Sequence, residues 1–281
     1  IKKIGLIENN ISQKVQSQYE ENPYPRWRFE NSSKELKFSA IASINTEIRP
    51  NNIISNLLPN NINVLIAGCG TGLQILQAQR YKNAQITAID LSSSSLAFAQ
   101  RKINEIGIKN VRLIQMDILE VSLLKTKFDI IECSGVLHHM KEPNRGLDCL
   151  LDCIDKNGFL KLALYSRIAI KDVIAAAQHI SSRNLKPTLD NIHLFRDEVF
   201  SDKYSGNKDF VNFRDFYSSS EVRDFFFHYQ SHYIDLTQLE EMLKQRSLKF
   251  LGFLLSDPIK LLYKKYFPED KKQTNLQNWA K

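Results

Sequence analysis

The sequence has no long apolar run, few cysteines and no cluster of basic residues. No apolar stretch approaches the ~20 residues that a membrane-spanning helix needs, and residues 1–10 lack the apolar stretch of a signal peptide. The four cysteines have neither the paired spacing of a zinc site nor that of a disulfide framework. We therefore expect a cytoplasmic protein with no membrane segment and no metal site.

The net charge of +7 is not concentrated anywhere, because Lys and Arg are spread along the chain with no run of five or more. A solvated basic surface is therefore favoured over a nucleic-acid interface. With 43% hydrophobic and 25% charged residues, the composition is that of an ordinary globular protein. A length of 281 residues allows one sizeable core and a second small domain.

The middle of the chain alternates short β-branched apolar runs with segments of helical period, which predicts a parallel sheet covered by helices. The five predicted strands are 64–67, 86–90, 111–116, 128–133 and 159–165, and a turn at Asn157-Gly158 precedes the last. We predict four units: an N-terminal lid (1–60), a core (61–181), a substrate-side helical insertion (182–236), and a C-terminal helix and late strand (237–281). The late strand is predicted at 249–255.

A glycine loop, Gly68-Cys69-Gly70-Thr71-Gly72, follows the first strand. Glycines permit a tight turn and let a ligand approach the backbone. In dinucleotide enzymes the fingerprint is G-x-G-x-x-G, with the helix N-terminus facing a pyrophosphate, whereas here the third glycine comes one residue early and Leu73 takes its place. The spacing favours a ligand without a pyrophosphate and disfavours a nicotinamide dehydrogenase.

Two aspartates lie at the carboxyl ends of the next two strands. Asp90, beside Leu91, is placed to accept hydrogen bonds from ribose hydroxyls, and Asp117 could bind an adenine amino group while Ile118 packs on the base. Each aspartate could instead only cap the helix that follows it. Three polar or glycine positions at the ends of consecutive strands favour binding, because such sheets bind ligands there.

Four ordered segments carry a resemblance to a known family. V-L-I-A-G-C-G-T-G, I-D-L-S, M-D-I and F-D-I-I-E-C-S-G-V-L-H-H-M, within residues 62–166, resemble successive motifs of the class I S-adenosylmethionine-dependent methyltransferases. The resemblance implies an α/β fold with a doubly wound, mostly parallel sheet of order 3-2-1-4-5-7-6. The last, antiparallel strand has no clear counterpart before Lys281, so we expect it to be missing or supplied otherwise.

The same resemblance implies S-adenosylmethionine as the cofactor and S-adenosylhomocysteine as its product. It places the loop from Gly68 to Gly72 against the amino-acid part of the cofactor, Asp90 on the ribose, and Asp117 with Ile118 on the adenine. Ser134, Gly135 and His138 would lie near the methionine portion and the reactive methyl group.

A narrower likeness lies outside the core. Q-Y-E-E-N-P-Y-P-R-W (18–27), F-R-D-F (213–216) and F-H-Y-Q-S-H (227–232) are similar to a bacterial group of tetratricopeptide-repeat-associated methyltransferases. Tyr19 and Tyr24 are predicted to close over the cofactor, where aromatic faces attract a sulfonium. Arg26 and Trp27 are predicted to meet the acceptor, and a carboxylate of the cofactor is the alternative partner of Arg26. The alternative is that this segment only docks on the core through Tyr24 and Trp27.

The loop after the fourth strand bears on the acceptor. It has neither the Asp/Asn-Pro-Pro-aromatic sequence of adenine or glutamine amino methylation nor the Pro-Cys pair of cytosine methylation. Ser134-Gly135-Val136-Leu137 is more typical of enzymes acting on small molecules, for which positioning and exclusion of water can do most of the catalysis.

A base is needed only if the acceptor must lose a proton, and histidine is the obvious choice. The candidate catalytic residues are His138, His228, His232 and Tyr165. His228, Gln230 and His232 would share one face of a strand, and the two histidines one face of a helix; we predict that these three residues recognise the acceptor. The alternatives are a structural polar network and, less favoured, a metal-binding histidine pair. For His138, shaping the cofactor pocket is the alternative.

The predicted activity is methyl transfer from S-adenosylmethionine to a small-molecule or peptide side-chain acceptor. A methyltransferase-like domain that binds cofactor or a partner without turnover is the second hypothesis. A nucleic-acid methyltransferase is a further alternative because of the basic charge. The acceptor atom and the oligomeric state are left open.

Overall fold

A single parallel sheet organises the protein, whose computed structural model describes residues 1–28, 37–54 and 57–281. Within these residues the sheet has six strands in the order β1-β4-β3-β2-β5-β6, and every adjacent pair is parallel. The strands are β1 (Lys2–Lys3), β2 (Ile62–Ala67), β3 (Ala84–Asp90), β4 (Val111–Gln115), β5 (Phe128–Ser134) and β6 (Ile154–Ala163). Residues 29–36 and 55–56 of the predicted lid lie outside the described residues.

Helices cover the sheet and extend beyond it. The α-helices are α1 (Asn10–Glu21), α2 (Ala40–Glu47), α3 (Leu73–Ala78), α4 (Ser93–Ile106), α5 (Pro143–Leu151), α6 (Lys171–Ser182), α7 (Leu189–Phe200), α8 (Ser219–Phe226), α9 (Leu236–Gln245), α10 (Asp257–Tyr266) and α11 (Leu276–Trp279). Short 3-10 helices occupy Ile118–Leu124, Leu137–His139, Asp209–Asn212 and Arg214–Tyr217. Among the described residues, no helix combines the length and apolar character that crossing a bilayer would require.

The doubly wound parallel sheet predicted from the sequence is confirmed. The predicted order 3-2-1-4-5 is found as β4-β3-β2-β5-β6. Val64, Leu65 and Ile66 are fully buried because separate hydrophobic clusters pack on the two faces of the sheet. Such double burial explains why these strands are continuous apolar runs without alternation. The carboxyl ends of the strands therefore form one edge, at which the predicted site residues lie.

The predicted late strand at 249–255 is wrong: the structure has no strand there. Asn51 Nδ2 donates to the Leu251 carbonyl oxygen over 2.7 Å, and Leu251 packs against one of the two core clusters. Gly252 has φ +137°, which does not continue an extended strand. The apolar run therefore buries side chains without joining the sheet, and the described sheet gains a sixth strand from β1 instead.

The predicted turn at Asn157-Gly158 is also wrong, because both residues lie within β6. The strand partners jump from Phe128↔Ile154 to Ile130↔Phe159. The extra residues are thus accommodated as a bulge in a continuous strand.

The insertion has its own hydrophobic cluster, which contains Val173 and Ile180 of α6 as well as Phe195, Phe210 and Phe226. Ser218 Oγ accepts from the Glu221 N–H over 3.4 Å and caps the N-terminus of α8. Residues 228–233 after this helix are neither helix nor strand. The shared faces predicted for His228, Gln230 and His232 therefore do not exist.

Candidate active site

The glycine loop between β2 and α3 needs its glycines for packing and for backbone conformation. Gly68, Gly70 and Gly72 have φ values of +77°, +50° and +92°, which side chains rarely tolerate. A Cβ at Gly68 would lie 2.3 Å from Val136 Cγ2, and one at Gly70 would lie 2.4 Å from the Tyr24 carbonyl oxygen. The loop is thus held close to the loop after β5 and to the N-terminal segment.

The Asp90 carboxylate, at the carboxyl end of β3, binds the glycine loop. It accepts from the Gly70 N–H over 2.7 Å and from the Ser92 N–H over 2.9 Å. Burial raises the pKa of Asp90 to about 6, although the hydrogen bonds from Ser92 and Gly70 oppose this rise. The cap of α4 is Ser92, whose hydroxyl accepts from the Ser95 N–H. Asp90 is therefore free of a capping role.

Asp117, after β4, does act as a cap. Its Oδ1 accepts from the Leu119 N–H over 3.0 Å at the start of the 3-10 helix. The neighbouring Ile118 is buried in the cluster on one face of the sheet. Their contact with adenine stays a prediction.

The N-terminal segment docks on the glycine loop through Thr71. The Thr71 N–H donates to the Tyr24 carbonyl over 3.2 Å, and its hydroxyl donates to the Pro25 carbonyl over 2.5 Å. Trp27 Nε1 donates to the Thr71 carbonyl over 3.3 Å. Arg26 is exposed. These contacts support the docking alternative for Tyr24 and Trp27, and the acceptor roles of Arg26 and Trp27 stay predictions.

Helix α1 crosses the same edge through two residues that the sequence analysis missed. Gln16 Nε2 donates to the Leu91 carbonyl over 3.1 Å. The Glu20 carboxylate accepts from the Ser93 and Ser94 N–H groups over 2.6 and 2.9 Å, at the N-terminus of α4. Burial alone would raise the pKa of Glu20, but these hydrogen bonds outweigh it and lower the pKa. The spacing of four residues, which places both side chains on one helix face, is the only signal that could have indicated them.

Four aromatic rings, those of Tyr165, His138, His139 and His228, pack together at the carboxyl ends of β5 and β6 as two stacked pairs that meet edge to face. We call these four rings the stack. Tyr165 stacks on His138 at 3.8 Å, and His139 stacks on His228 at 3.5 Å. His138 and His139 meet edge to face at 4.2 Å between centroids. The structure thus brings together Tyr165, His138 and His228, which the sequence predicted separately, and adds His139.

Burial keeps these histidines neutral. It lowers the pKa of His138 to about 2 and that of His139 to about 4, and it holds the pKa of His228 well below the ordinary value. Removal of water penalises the charged imidazolium, and the neighbouring histidines add to the effect. All three are therefore uncharged at neutral pH.

Polar contacts tie the loop of residues 228–233 to the loop after β5. His139 Nδ1 lies 2.9 Å from the Gln230 carbonyl, and the His232 N–H donates to the His138 carbonyl over 2.7 Å. Gln230 Nε2 donates to the Met140 carbonyl over 2.8 Å and lies 3.0 Å from His232 Nε2. These contacts support the structural polar network left open by the sequence, while acceptor recognition stays a prediction.

Asp224 is a buried carboxylate that the sequence analysis did not find. It projects from α8, is 5% exposed, and accepts from the Tyr19 hydroxyl over 2.8 Å. Burial raises the pKa of Asp224 to about 7, with a further contribution from the charges of Asp215 and Glu221 and an opposing one from the Tyr19 hydrogen bond. One signal was available: an acid directly before Phe225, Phe226 and Phe227.

The residues at this edge fit an S-adenosylmethionine molecule. Both ring nitrogens of His138 and Oε1 of Gln74 are buried and have no hydrogen-bond partner among the described residues. Gln74 Nε2 donates to the Ser134 carbonyl over 3.0 Å, which places this amide between the glycine loop and the end of β5, and Gly135 follows with φ +76°. Unpaired buried polar atoms call for a ligand or water. No group of three or more metal-ligating side chains occurs within residues 1–28, 37–54 and 57–281.

The sheet order, the glycine loop and Asp90 define a class I methyltransferase core. The comparison with protein families agrees, since residues 64–158 match a family described as a methyltransferase domain. Residues 64–158 are thus similar to methyltransferase domains, the sheet has the class I fold, and both findings support S-adenosylmethionine as the cofactor.

Two curated relatives illustrate how far the sequence likeness extends. An uncharacterized protein of Synechococcus sp. is 30% identical over 200 residues, covering 68% of this chain and 48% of that protein. A mitochondrial ubiquinone biosynthesis O-methyltransferase of Schizosaccharomyces pombe is 30% identical over 120 residues, covering 42% of this chain and 43% of that protein. The chain thus matches less than half the length of each.

A solved structure matches nearly the whole chain. PKMT2 from Rickettsia typhi, in complex with AdoHcy, superposes with a TM-score of 0.62 over 91% of this chain and 52% of that chain, at 21% identity. This likeness shows a shared fold that extends beyond the core to the flanking segments.

Proposed function

We propose that this protein is an S-adenosylmethionine-dependent methyltransferase, acting in the cytoplasm on a small molecule or a peptide side chain. The observation that supports this proposal most directly is that the glycine loop, Asp90 and the stacked rings of Tyr165 and His138 lie at one edge of the sheet. In this proposal Gly68 to Gly72 bind the amino-acid part of the cofactor and Asp90 binds the ribose. Asp117 and Ile118 bind the adenine, and Gln74, Ser134 and His138 adjoin the methionine portion.

Three observations support a small or slender acceptor. The insertion and α1 cover the edge, since Tyr19 of α1 is bonded to Asp224 of α8. The loop Ser134-Gly135-Val136-Leu137 lacks the motif of adenine amino methylation. The S. pombe relative is by its name an O-methyltransferase of ubiquinone biosynthesis. We also infer membership of the bacterial group with the NPYPRW motif, because the residues of that motif dock on the glycine loop.

Isothermal titration with S-adenosylmethionine and S-adenosylhomocysteine tests the cofactor. We expect both to bind the wild-type chain and Asp90→Asn to weaken binding at least ~10-fold, because two charge-assisted hydrogen bonds to ribose hydroxyls would be weakened. Asp190→Asn is the matched control, because Asp190 is an exposed residue of α7. Folded wild-type protein that binds neither compound would refute the proposal.

A labelled-methyl transfer screen over metabolite and peptide pools then tests turnover. Transfer into any pool supports the enzyme, and its chemical fractionation identifies the acceptor class. Cofactor binding without transfer to any pool would favour the second hypothesis, a domain that binds cofactor without turnover.

A further inference from the structure

A directed chain of hydrogen bonds connects His228, Tyr19 and Asp224. The Gln230 N–H donates to His228 Nδ1 over 3.2 Å, so that nitrogen holds a lone pair and the ring proton is on Nε2. His228 Nε2 lies 3.3 Å from the Tyr19 hydroxyl oxygen and donates to it. The Tyr19 hydroxyl proton therefore points to Asp224 Oδ1, 2.8 Å away.

Tyr19 lies between the cofactor side of the site and the insertion. Gln16 and Glu20, on the same helix, contact Leu91 and the start of α4, which places α1 over the carboxyl end of β3. The charges of both Asp224 and Asp90 raise the pKa of Tyr19, after the larger effect of burial. The Tyr19 oxygen has two lone pairs, and His228 uses only one of them.

Asp224 has no compensating cation. Within the described part of the chain, no Lys or Arg nitrogen lies within 4 Å of its carboxylate, whereas Glu198 of the same insertion is paired with Arg183. The charges of Asp215 and Glu221 act on Asp224, and the Arg214 guanidinium lies 3.6 Å from the Glu221 carboxylate rather than on Asp224. An unpaired buried carboxylate is costly, which makes it receptive to a proton.

We propose that Tyr19 is a catalytic residue that takes the proton of the methyl acceptor, and that Asp224 is the positioning residue that receives the Tyr19 proton in turn. This inference rests on the proposed methyltransferase function and assigns its base. It applies to acceptors that lose a proton, such as a hydroxyl or an amine. The neutral His228 then orients Tyr19 rather than acting as a base.

The cofactor supplies the methyl group: its sulfur–carbon bond breaks, sulfur keeps the electron pair, and a bond forms between the acceptor heteroatom and carbon. The acceptor proton moves to the Tyr19 oxygen, while the Tyr19 hydroxyl proton moves to Asp224 Oδ1. The proton leaves Asp224 to solvent before the next turnover.

The experiment measures labelled-methyl transfer into metabolite and peptide pools from pH 5.5 to 9, with cofactor binding measured on each variant. We expect wild-type transfer to rise with pH through about 7, since burial and the charges of Asp215 and Glu221 raise the pKa of Asp224 to that value and only its ionised form accepts a proton. Asp224→Asn should lose ~100-fold in rate and lose the inflection, with cofactor affinity unchanged within twofold.

Further variants separate this role from a structural one. Tyr19→Phe should slow transfer as strongly as Asp224→Asn. The double variant should be no slower than either single variant, because each substitution already interrupts the same proton path. Asp224→Glu should restore part of the rate together with a pH inflection. Asp190→Asn should behave as wild type.

The outcomes are distinguishable. An Asp224→Asn or Tyr19→Phe variant that binds cofactor normally and keeps both the wild-type rate and its inflection would overturn the proton path while leaving the methyltransferase intact. A wild-type chain that transfers no methyl group to any pool would overturn the proposed function, and the proton path with it.

Discussion

Gly70 is constrained by its backbone conformation and by a neighbour. Its φ is +50°, and an added Cβ would lie 2.4 Å from the Tyr24 carbonyl oxygen. We expect Gly70→Ala to displace the N-terminal segment and to weaken S-adenosylmethionine binding at least ~10-fold, beyond the ~1–2 kcal/mol cost of the left-handed conformation. Calorimetric titration and thermal melting measure the two effects.

Gly107→Ala is the matched control for backbone strain alone. Gly107 has φ +78°, and a Cβ there would meet nothing within 4 Å. It should lower the melting temperature without changing cofactor affinity. Equal losses of affinity in the two variants would contradict a role for the Gly70–Tyr24 contact.

Asp90 and Asp224 show what a sequence can reveal about single residues. Asp90 was predictable because it ends a strand, and the carboxyl ends of parallel strands meet at one edge. Asp224 was not, because its place beside Tyr19 depends on how an insertion packs against an N-terminal helix 205 residues away in sequence. Local pattern carries no information on such a contact.

At the scale of elements, α1 is joined to α4 by Glu20. The Glu20 carboxylate accepts from the first N–H groups of α4, where the helix dipole also favours a negative charge. Glu20→Gln should weaken this contact and speed amide hydrogen exchange at Ser93 and Ser94 by ~10-fold. Glu8→Gln, at an exposed residue that precedes α1, should leave that exchange unchanged.

The same contact should open in acid. Because the folded pKa of Glu20 is lowered, its stabilisation is present above the unfolded pKa and is lost as the pH falls through the folded pKa. Exchange at Ser93 and Ser94, corrected for intrinsic rates, should therefore increase in acid for the wild type only. The same acid response in Glu20→Gln would argue against Glu20 as the titrating group.

A second contact between elements is a network of buried charged side chains that joins α2 to the sheet. Glu132 of β5 is 2% exposed and accepts from Arg80 Nη2 over 2.5 Å and from the Tyr81 hydroxyl over 2.8 Å. Glu47 of α2 accepts from Lys161 Nζ of β6 over 2.9 Å and lies 3.2 Å from the same Arg80 nitrogen. The network thus links α2 to two strands.

Removing one charge of this network should destabilise the folded protein. We expect Glu132→Gln to lower the free energy of unfolding by about 3 kcal/mol, because Arg80 would remain buried with its main partner neutral. Urea denaturation measures this change. Glu105→Gln removes an exposed carboxylate that pairs with Arg101 and Lys102 on the surface of α4, and it should change the free energy of unfolding much less than Glu132→Gln does; similar changes for the two variants would contradict the network's importance.

A comparison of the predicted strands with the observed ones shows which elements sequence patterns can predict. The strands β2 to β5 were predictable because each is a short apolar run between a loop and a helix of clear period. Residues 249–255 have the same apolar character, yet Gly252 and the Asn51 side chain divert them from the sheet. Apolar content shows that a segment is buried, but backbone pairing depends on neighbours that the segment does not encode.

At the scale of the whole molecule, the residues that the structure describes form three hydrophobic clusters. Two lie on the faces of the sheet, and the third joins α6 to the helices of the insertion. The boundaries predicted at 60, 181 and 236 stay predictions, although the third cluster already begins within α6. Asp224 lies where the insertion meets α1, so its protonation state affects the contact between two parts of the molecule.

Stability should therefore depend on pH through Asp224. Below about pH 4 its carboxyl is protonated in both the folded and the unfolded chain. Between about 4 and 7 the unfolded chain releases a proton that the folded chain keeps, because burial raises the folded pKa to about 7. The free energy of unfolding thus falls as the pH rises through this window, by about 4 kcal/mol in total. Urea denaturation at pH 4.5, 6 and 7.5 measures the fall.

Other groups titrate in the same pH range. The difference in free energy of unfolding between the wild type and Asp224→Asn therefore measures the contribution of Asp224 alone. Burial also raises the pKa of Asp90, to about 6, and that contribution is common to both proteins. The free energy of unfolding of Asp224→Asn, relative to that of the wild type, should increase steadily from pH 4.5 to 7.5. The reason is that an amide carries no charge to desolvate and still accepts a hydrogen bond from the Tyr19 hydroxyl. Parallel curves for the two proteins would mean that Asp224 titrates as an ordinary exposed acid, and that the contact between insertion and α1 is open in solution.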